Sequence, residues 1–216
     1  MSNTAKENIL LKIKRALVKP MPVPFPAIQA NTASVFNPSV QELEIEFAEN
    51  FTKLLGKFAF CVDEKDLAVQ LNSLALYKKW NKIVCQEKAL KNKLIHQGYI
   101  NLHYASLSSC DASITTCETL VARTGSIVLS SATESGRSTS VYAPVHICIA
   151  YTSQLVYDIQ DALINVQIKH ANNLPSLITL ATGPSRTADI EKTLVVGVHG
   201  PKEVFLFLVD DSYQAL

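Results

Sequence analysis

Residues 58–85, FAFCVDEKDLAVQLNSLALYKKWNKIVC, decide the fold class. Phe58 to Val62 is an apolar run of strand length, and Asp63 stands where a helix N-cap belongs. Leu67, Leu71 and Leu74 recur at helical spacing and mark an inward face. Ile83 to Cys85 is a second short apolar run. Strand, helix and strand in that order predict a parallel βαβ unit. Downstream, Leu90 and Leu94 continue into a helix that ends near Gly98. Upstream, Ser39 and Glu42 have capping-box spacing behind Pro38. Val40, Leu43, Phe47, Phe51 and Leu54 then form an apolar stripe that stops at Gly56.

The second half is richer in strand-length runs: Ser126–Ser130, Val145–Ala150, Leu177–Ala181 and Val204–Val209. They lack clean alternation, as strands covered on both faces do. Helical spacing is read between them at about Ser113–Ala122, Ser153–Gln167 and Thr187–Val195. The expected fold is α/β, a mainly parallel sheet with helices on both faces. Before Ser39 the pattern changes. Ile9, Ile13, Ala16 and Leu17 share a helical face within Asn8–Val18, and Pro20, Pro22, Pro24 and Pro26 then impose an extended connector. Residues 1–38 are read as a helical arm with a Pro-rich connector, and residues 39–216 as the α/β domain. The arm is expected to pack on its parent domain or on a neighbouring copy, as a contact for a homo-oligomer.

Composition excludes several classes. The chain has 216 residues, 48% apolar and 18% charged, which suits a sizeable core and not dominant disorder. A net charge of +1, with no basic stripe interleaved with aromatics, argues against nucleic-acid binding. No apolar run approaches the ~18 residues of a membrane span. The first twenty or so residues lack the apolar core of a signal peptide. The 5 cysteines, Cys61, Cys85, Cys110, Cys117 and Cys148, form no C-x-x-C pair. Reduced thiols in the cytoplasm are expected, with no iron–sulfur cluster held by this chain. His146, His170 and His199 lack metal-ligand spacing, so no metal is assigned. No G-x-G-x-x-G, Walker or G-x-S-x-G sequence is present, so no cofactor is identifiable in the chain itself.

Three loops carry the chemistry-bearing residues. Thr182-Gly183-Pro184-Ser185-Arg186-Thr187 follows an apolar run and is read as leading into a helix. Ser185 or Thr187 would cap it, its first-turn N–H groups would form an anion site, and Arg186 would add a planar fork for carboxylate or phosphate. Asp189 and Glu191 would repel that anion, and an Arg186–Asp189 surface pair is the plainer alternative. Gly197-Val198-His199-Gly200-Pro201 presents an imidazole from a tight turn, or else caps a helix and leaves His199 on the surface. The third segment, Glu118 to His146, holds Arg137 as a candidate anion clamp and Glu118 in a largely apolar helical stretch, either on its wet face or in a site with a raised pKa. Ligand sites in open α/β sheets lie beyond the C-terminal ends of strands, and these loops are placed there.

Taken together, Arg123-Thr124-Gly125-Ser126-Ile127-Val128-Leu129, Ser135-Gly136-Arg137, Pro144-Val145-His146-Ile147, Thr182 to Glu191 and Gly197 to Pro201 resemble the LUD domain of the lactate-utilization protein C family. The resemblance is good over roughly residues 110–210 and loose over the first hundred. It implies a fold similar to that of the NagB/RpiA/CoA-transferase group. It also implies a role in oxidising L-lactate to pyruvate, as the cluster-free accessory or substrate-handling component beside iron–sulfur partner proteins. The chain departs from the family pattern at Arg123, where many members carry an acidic residue. Under this reading His199 and Glu118 are the catalytic candidates. A small carboxylate or phosphate would be held by Thr124, Gly125, Gly136, Arg137, His146, Gly183, Ser185, Arg186, Asp189, Glu191 and Gly200. Two alternatives stand beside it: an isomerase or CoA-transferase-like enzyme using Glu118, and a non-catalytic ligand sensor or scaffold.

Overall fold

The computed structural model describes residues 4–18, 39–99, 102, 106–171, 173–190 and 193–212. The Pro-rich connector and Glu191 lie outside them. The chain divides into two units, Met1–Pro38 and Ser39–Leu216. In the first, helix α1 (Ala5–Leu17) is closed at its start by a capping box. Thr4 accepts from the Glu7 amide, and Glu7 Oε2 accepts from the Thr4 amide at 2.8 Å.

The second unit runs α2 (Leu43–Lys53), β1 (Lys57–Cys61), α3 (Glu64–Lys78), β2 (Ile83–Cys85), α4 (Lys88–His96), β3 (Ala112–Thr115), β4 (Thr119–Val121) and β5 (Ser126–Ser130). It continues α5 (Thr139–Tyr142), β6 (Val145–Tyr151), β7 (Leu155–Val156), α6 (Ile159–Lys169), β8 (Ile178–Ala181), β9 (Arg186–Ile190), β10 (Thr193–Val196) and β11 (Glu203–Val209). The main sheet has 5 strands in the order β1-β11-β6-β3-β2, and every pairing is parallel. β6 and β11 lie at its centre, paired from Val145↔Glu203 to Tyr151↔Val209. Their side chains alternate between two cores, as the strand period of two requires. Ile147, Ile149, Phe205 and Phe207 pack with Leu71 of α3 and Leu94 of α4. Cys148, Ala150, Leu206 and Leu208 pack with Phe47 and Phe51 of α2, and with Leu120 and Ile127 of a second sheet. That second sheet has 4 strands in the order β7-β4-β5-β8 and is mixed in direction. α6 covers its outer side through Ala162 and Val166.

The expected parallel α/β sheet is present, and helices flank it. One face, however, meets a helix and a further sheet, which periodicity alone does not separate. Three local expectations are corrected. Ser113–Ala122 and Thr187–Val195 form strands, because β-branched Thr115, Thr119, Val121, Thr187, Ile190, Thr193, Val195 and Val196 favour extended backbone over the helix their spacing suggests. β9 and β10 pair as an antiparallel hairpin. The third helical segment starts late, at Asp158, whose carboxylate accepts from the Gln160 amide at 2.9 Å; Leu155 and Val156 before it are strand. The Ser39–Glu42 capping box is absent as well. The Ser39 hydroxyl is taken by a local turn at Gln41, and Glu42 caps α2 through its backbone only. Asp63 does cap α3, accepting from Asp66 N at 2.7 Å.

α2 fixes two glycines. Gly125 has φ +60°, and a Cβ there would stand 2.5 Å from Phe51 N and 2.7 Å from the Asn50 carbonyl carbon. Asn50 Nδ2 donates to the carbonyls of Ala122 and Arg123 at 3.0 and 3.2 Å, holding the two backbones together. Gly183, φ +80°, would drive a Cβ into the Leu54 carbonyl oxygen. Gly136 has a similar φ of +59° but nothing within 4 Å of a Cβ. This contrast separates conformational strain from steric conflict. Gly136→Ala should cost about 1 kcal/mol. Gly125→Ala should cost about 2–4 kcal/mol and lower Tm by roughly 5–15 °C. Thermal melts of the two variants side by side check this; equal losses would show that α2 yields to the added methyl.

Candidate functional site

Ser185 is the knot of the site. Its amide donates to the Pro201 carbonyl at 3.0 Å, and its carbonyl accepts from the Gly197 amide at 2.8 Å. Gly200 lies so close that a Cβ would meet Ser185 Cβ at 2.9 Å. The loop after β8 and the loop before β11 are thereby tied together. Lys202 N donates to Pro144 O at 2.8 Å, which adds the segment before β6. With Ser185 N engaged and β9 extended, no helix N-terminus is available for an anion, and that expectation is replaced.

The three segments frame a cavity of about 390 Å³. Of the candidate residues, His146, Gly183, Ser185, Arg186, His199 and Gly200 line it. Ser140, Val141, Leu129, Thr179 and Val204 are among the other residues of its walls. It sits at the amino-terminal ends of β6 and β11, opposite to the end expected from open α/β sheets. The sequence reading missed Ser140 and Thr179. For Thr179 a signal existed: it is the polar residue within the apolar run Leu177–Ala181.

His146 is 1% exposed, and its Nε2 lies 2.8 Å from Thr115 Oγ1. Burial pushes its pKa down to about 4. At neutral pH it is an uncharged imidazole, able to donate from one ring nitrogen and accept at the other. Arg186 and His199 are exposed at the cavity rim. Among the described lining residues Arg186 carries the fixed charge, and no described Asp or Glu stands beside it in the wall. Asp189 falls on β9. Thr124 reaches the cavity through hydroxyls: Thr124 Oγ1 to Ser126 Oγ, then Ser126 Oγ to Thr182 Oγ1, each 2.8 Å.

Other candidates lie elsewhere. The Glu118 side chain is 1% exposed and bonded to Lys169 Nζ at 2.7 Å, Ser130 Oγ at 2.5 Å and His170 Nε2 at 3.1 Å. Burial alone would raise its pKa, but the bonds from Lys169 and Ser130 outweigh it and hold the carboxyl below its ordinary range. It is not among the residues lining the cavity with His199. Arg137 donates from Nη2 to Ser176 Oγ at 2.6 Å and does not line the cavity either. Gly136 borders a small cleft that shares Leu129 and Ser140 with it. Arg123, the departure from the family pattern, donates from Nε to Asp158 Oδ2 at 2.6 Å and so braces the start of α6.

A larger cavity of about 770 Å³ lies between α2 and β1, rimmed by Glu42, Glu44, Glu49 and Asp210. Its acidic rim disfavours carboxylates and phosphates, so its size does not make it the anion site. The described residues contain no group of three or more His, Cys, Asp or Glu that could hold a metal. All 5 cysteines are free thiols, and burial pushes those of Cys61 and Cys85 up to about 12. No described helix is long and apolar enough to cross a membrane.

The two buried titrating groups predict acid lability in separate windows. His146 is depressed from 6.5 to about 4, so the unfolded chain takes up a proton first as pH falls. On the order of 3 kcal/mol of stability is lost between pH 6.5 and 4. Denaturant titrations of His146→Gln should show this loss flattened. Glu118, whose pKa is lowered by folding, contributes stability that is present above its unfolded value and lost below it. Glu118→Gln should therefore destabilise the protein at pH 7, and by progressively less as the pH falls below the ordinary carboxylate range. A loss independent of pH at both positions would refute these assignments.

Comparison with known proteins adds the lineage. The LUD domain family profile matches residues 45–209. Lactate utilization protein C of Bacillus subtilis is 41% identical over 100 residues, 45% of this chain and 42% of that protein. Lactate utilization protein C of Macrococcus caseolyticus is 37% identical over 118 residues, covering 54% and 50% respectively. The chain thus spans about half the length of the curated relatives it matches. A crystal structure of a DUF162 family protein from Deinococcus radiodurans superposes with TM-score 0.58 at 19% identity, covering 80% of this chain and 99% of that one, and so shares its fold. The profile match takes in all of the main sheet and every cavity-lining loop, and the chain belongs to the LUD domain family.

Proposed function

We propose that this chain is a substrate-handling component of an L-lactate utilization system and binds a small carboxylate in the cavity around Ser185. The observation that carries this reading is the rim, where Arg186 and His199 converge and no described carboxylate lines the wall. Arg186 presents a planar donor fork suited to a carboxylate. His199 is the proton-handling group for the 2-hydroxyl, and neutral His146, with Ser185 and Ser140, offers uncharged hydrogen bonds. The names of the relatives from Bacillus subtilis and Macrococcus caseolyticus support lactate as the acid.

Converting L-lactate to pyruvate removes two electrons and two protons, and an electron acceptor must take them. The proposal assigns that acceptor to iron–sulfur partner proteins in the cytoplasm, with this chain presenting the acid. Glu118 is then a fixed structural anion. Its engagement by Lys169, Ser130 and His170 supports this reading over one in which it is a free nucleophile.

Calorimetry with L-lactate and pyruvate checks the binding step. Arg186→Ala should weaken either acid by about 10- to 100-fold, the worth of a charge-assisted hydrogen bond, while Glu118→Gln should leave binding unchanged. Anaerobic purification of the protein from its own cells should bring iron–sulfur proteins with it. Absence of both carboxylate binding and such partners, with normal growth on L-lactate after gene deletion, would end the proposal.

A further inference from the structure

The cavity around Ser185 has a neighbour. A second cavity of about 480 Å³ shares Val141, His199 and Gly200 with it, so His199 stands on the boundary of both. A three-carbon acid displaces roughly three water volumes, ~100 Å³ at about 30 Å³ each. Such an acid fills a fraction of the inner cavity and none of the outer one. The outer walls are unlike the inner. Tyr142, Val141 and Val198 are 71%, 40% and 42% exposed and all face this one space, an apolar patch on the surface. Ala143, next to Tyr142, is 1% exposed and anchors the segment, which leaves the Tyr142 ring presented to solvent.

Lys202 lines this cavity and brings it a positive charge on a stem whose root is fixed. Its amide is held by Pro144 O, and its stem lies across Gly197, where a Cβ would come within 3.2 Å of Lys202 Cα and Cβ. Gly197, at φ +80°, is thus the residue that lets the lysine cross the turn. No described Asp or Glu lines the outer cavity. An exposed aromatic ring, flanking aliphatic groups and a lysine in the cavity lining are what a flat, negatively charged group needs: a face to stack on and a counter-charge.

We propose that the outer cavity is a second subsite, for a planar aromatic anion, adjoining the carboxylate subsite across His199. This rests on the carboxylate reading of the inner cavity. The planar group is either an extension of the acid itself or a separate ligand bound beside it.

Two probes separate these sources. The tethered probe is L-3-(4-carboxyphenyl)lactate, compared with L-lactate by calorimetry. The separate probe is benzoate, titrated into protein saturated with L-lactate. The subsite predicts that the tethered probe binds at least tenfold tighter than L-lactate, or that benzoate binds the lactate-loaded protein. It further predicts that either effect disappears in Tyr142→Ala and in Lys202→Met, while L-lactate affinity stays within threefold in both. Thermal melts confirm that the variants are folded. No gain from either probe, or a gain that survives both substitutions, overturns the subsite and leaves the inner carboxylate site standing. If L-lactate fails to bind yet benzoate binds alone with the Tyr142 and Lys202 dependence, the subsite stands and the lactate reading falls.

Discussion

The backbone of α2 runs so close to Gly125 and Gly183 that neither position has room for a side chain. This contact joins the core to the site. α2 contributes Phe47 and Phe51 to the core between the two sheets. Its last turn then meets the loop at Gly183, which places Ser185, and Ser185 clamps the loop before β11. Burial of two aromatic rings therefore sets the position of Arg186 and His199 through a short series of backbone contacts. A site built this way is placed by packing, with Arg186 and His199 exposed at its rim. That is the arrangement expected where ligands bind from solvent onto a rigid frame.

The first half of the chain was legible because its signals agree with one another. In residues 58–98 the apolar spacing, the Asp63 cap and the short strand runs all indicate the same βαβα order, and β1, α3, β2 and α4 follow it. The second half was harder because its signals conflict. Ser113–Ala122 and Thr187–Val195 carry apolar residues at helical spacing, yet their β-branched residues are paired in strands. Ser113 and Thr115 pair with His146 and Cys148 on β6, a partner that lies some thirty residues away and leaves no trace in a local window.

The glycine-bearing motifs were legible as motifs, and their physical reasons were not. Under the family resemblance Gly125 and Gly183 are ligand contacts; what packs against their backbones is α2 at Gly125 and its C-cap residue Leu54 at Gly183. Glu118 read as a carboxylate on a wet face or with a raised pKa; it is instead buried with its pKa lowered, and its partners Lys169 and His170 lie some fifty residues downstream. Sequence distance hides ion pairs of that kind. In this chain the same short motifs carry both packing contacts and cavity-lining residues. The same fact prevents a motif from saying which of the two a residue serves.

Charge follows a similar logic. The chain carries a net +1, which describes no particular surface. The large cavity beside α2 is rimmed by Glu42, Glu44, Glu49 and Asp210, while the two cavities that meet at His199 are lined by Arg186 and Lys202 with no described carboxylate. Opposite charges kept apart cancel in the sum but act separately on ligands, since screening confines each field to about 10 Å at ordinary ionic strength. An anion is thus repelled from the larger cavity and drawn to the smaller ones. Cavity size and the sign of the lining charges therefore point to different cavities for an anion. His146, buried and uncharged at neutral pH, lines the inner cavity and can offer it hydrogen bonds without adding charge, whereas Arg186 brings charge at the rim.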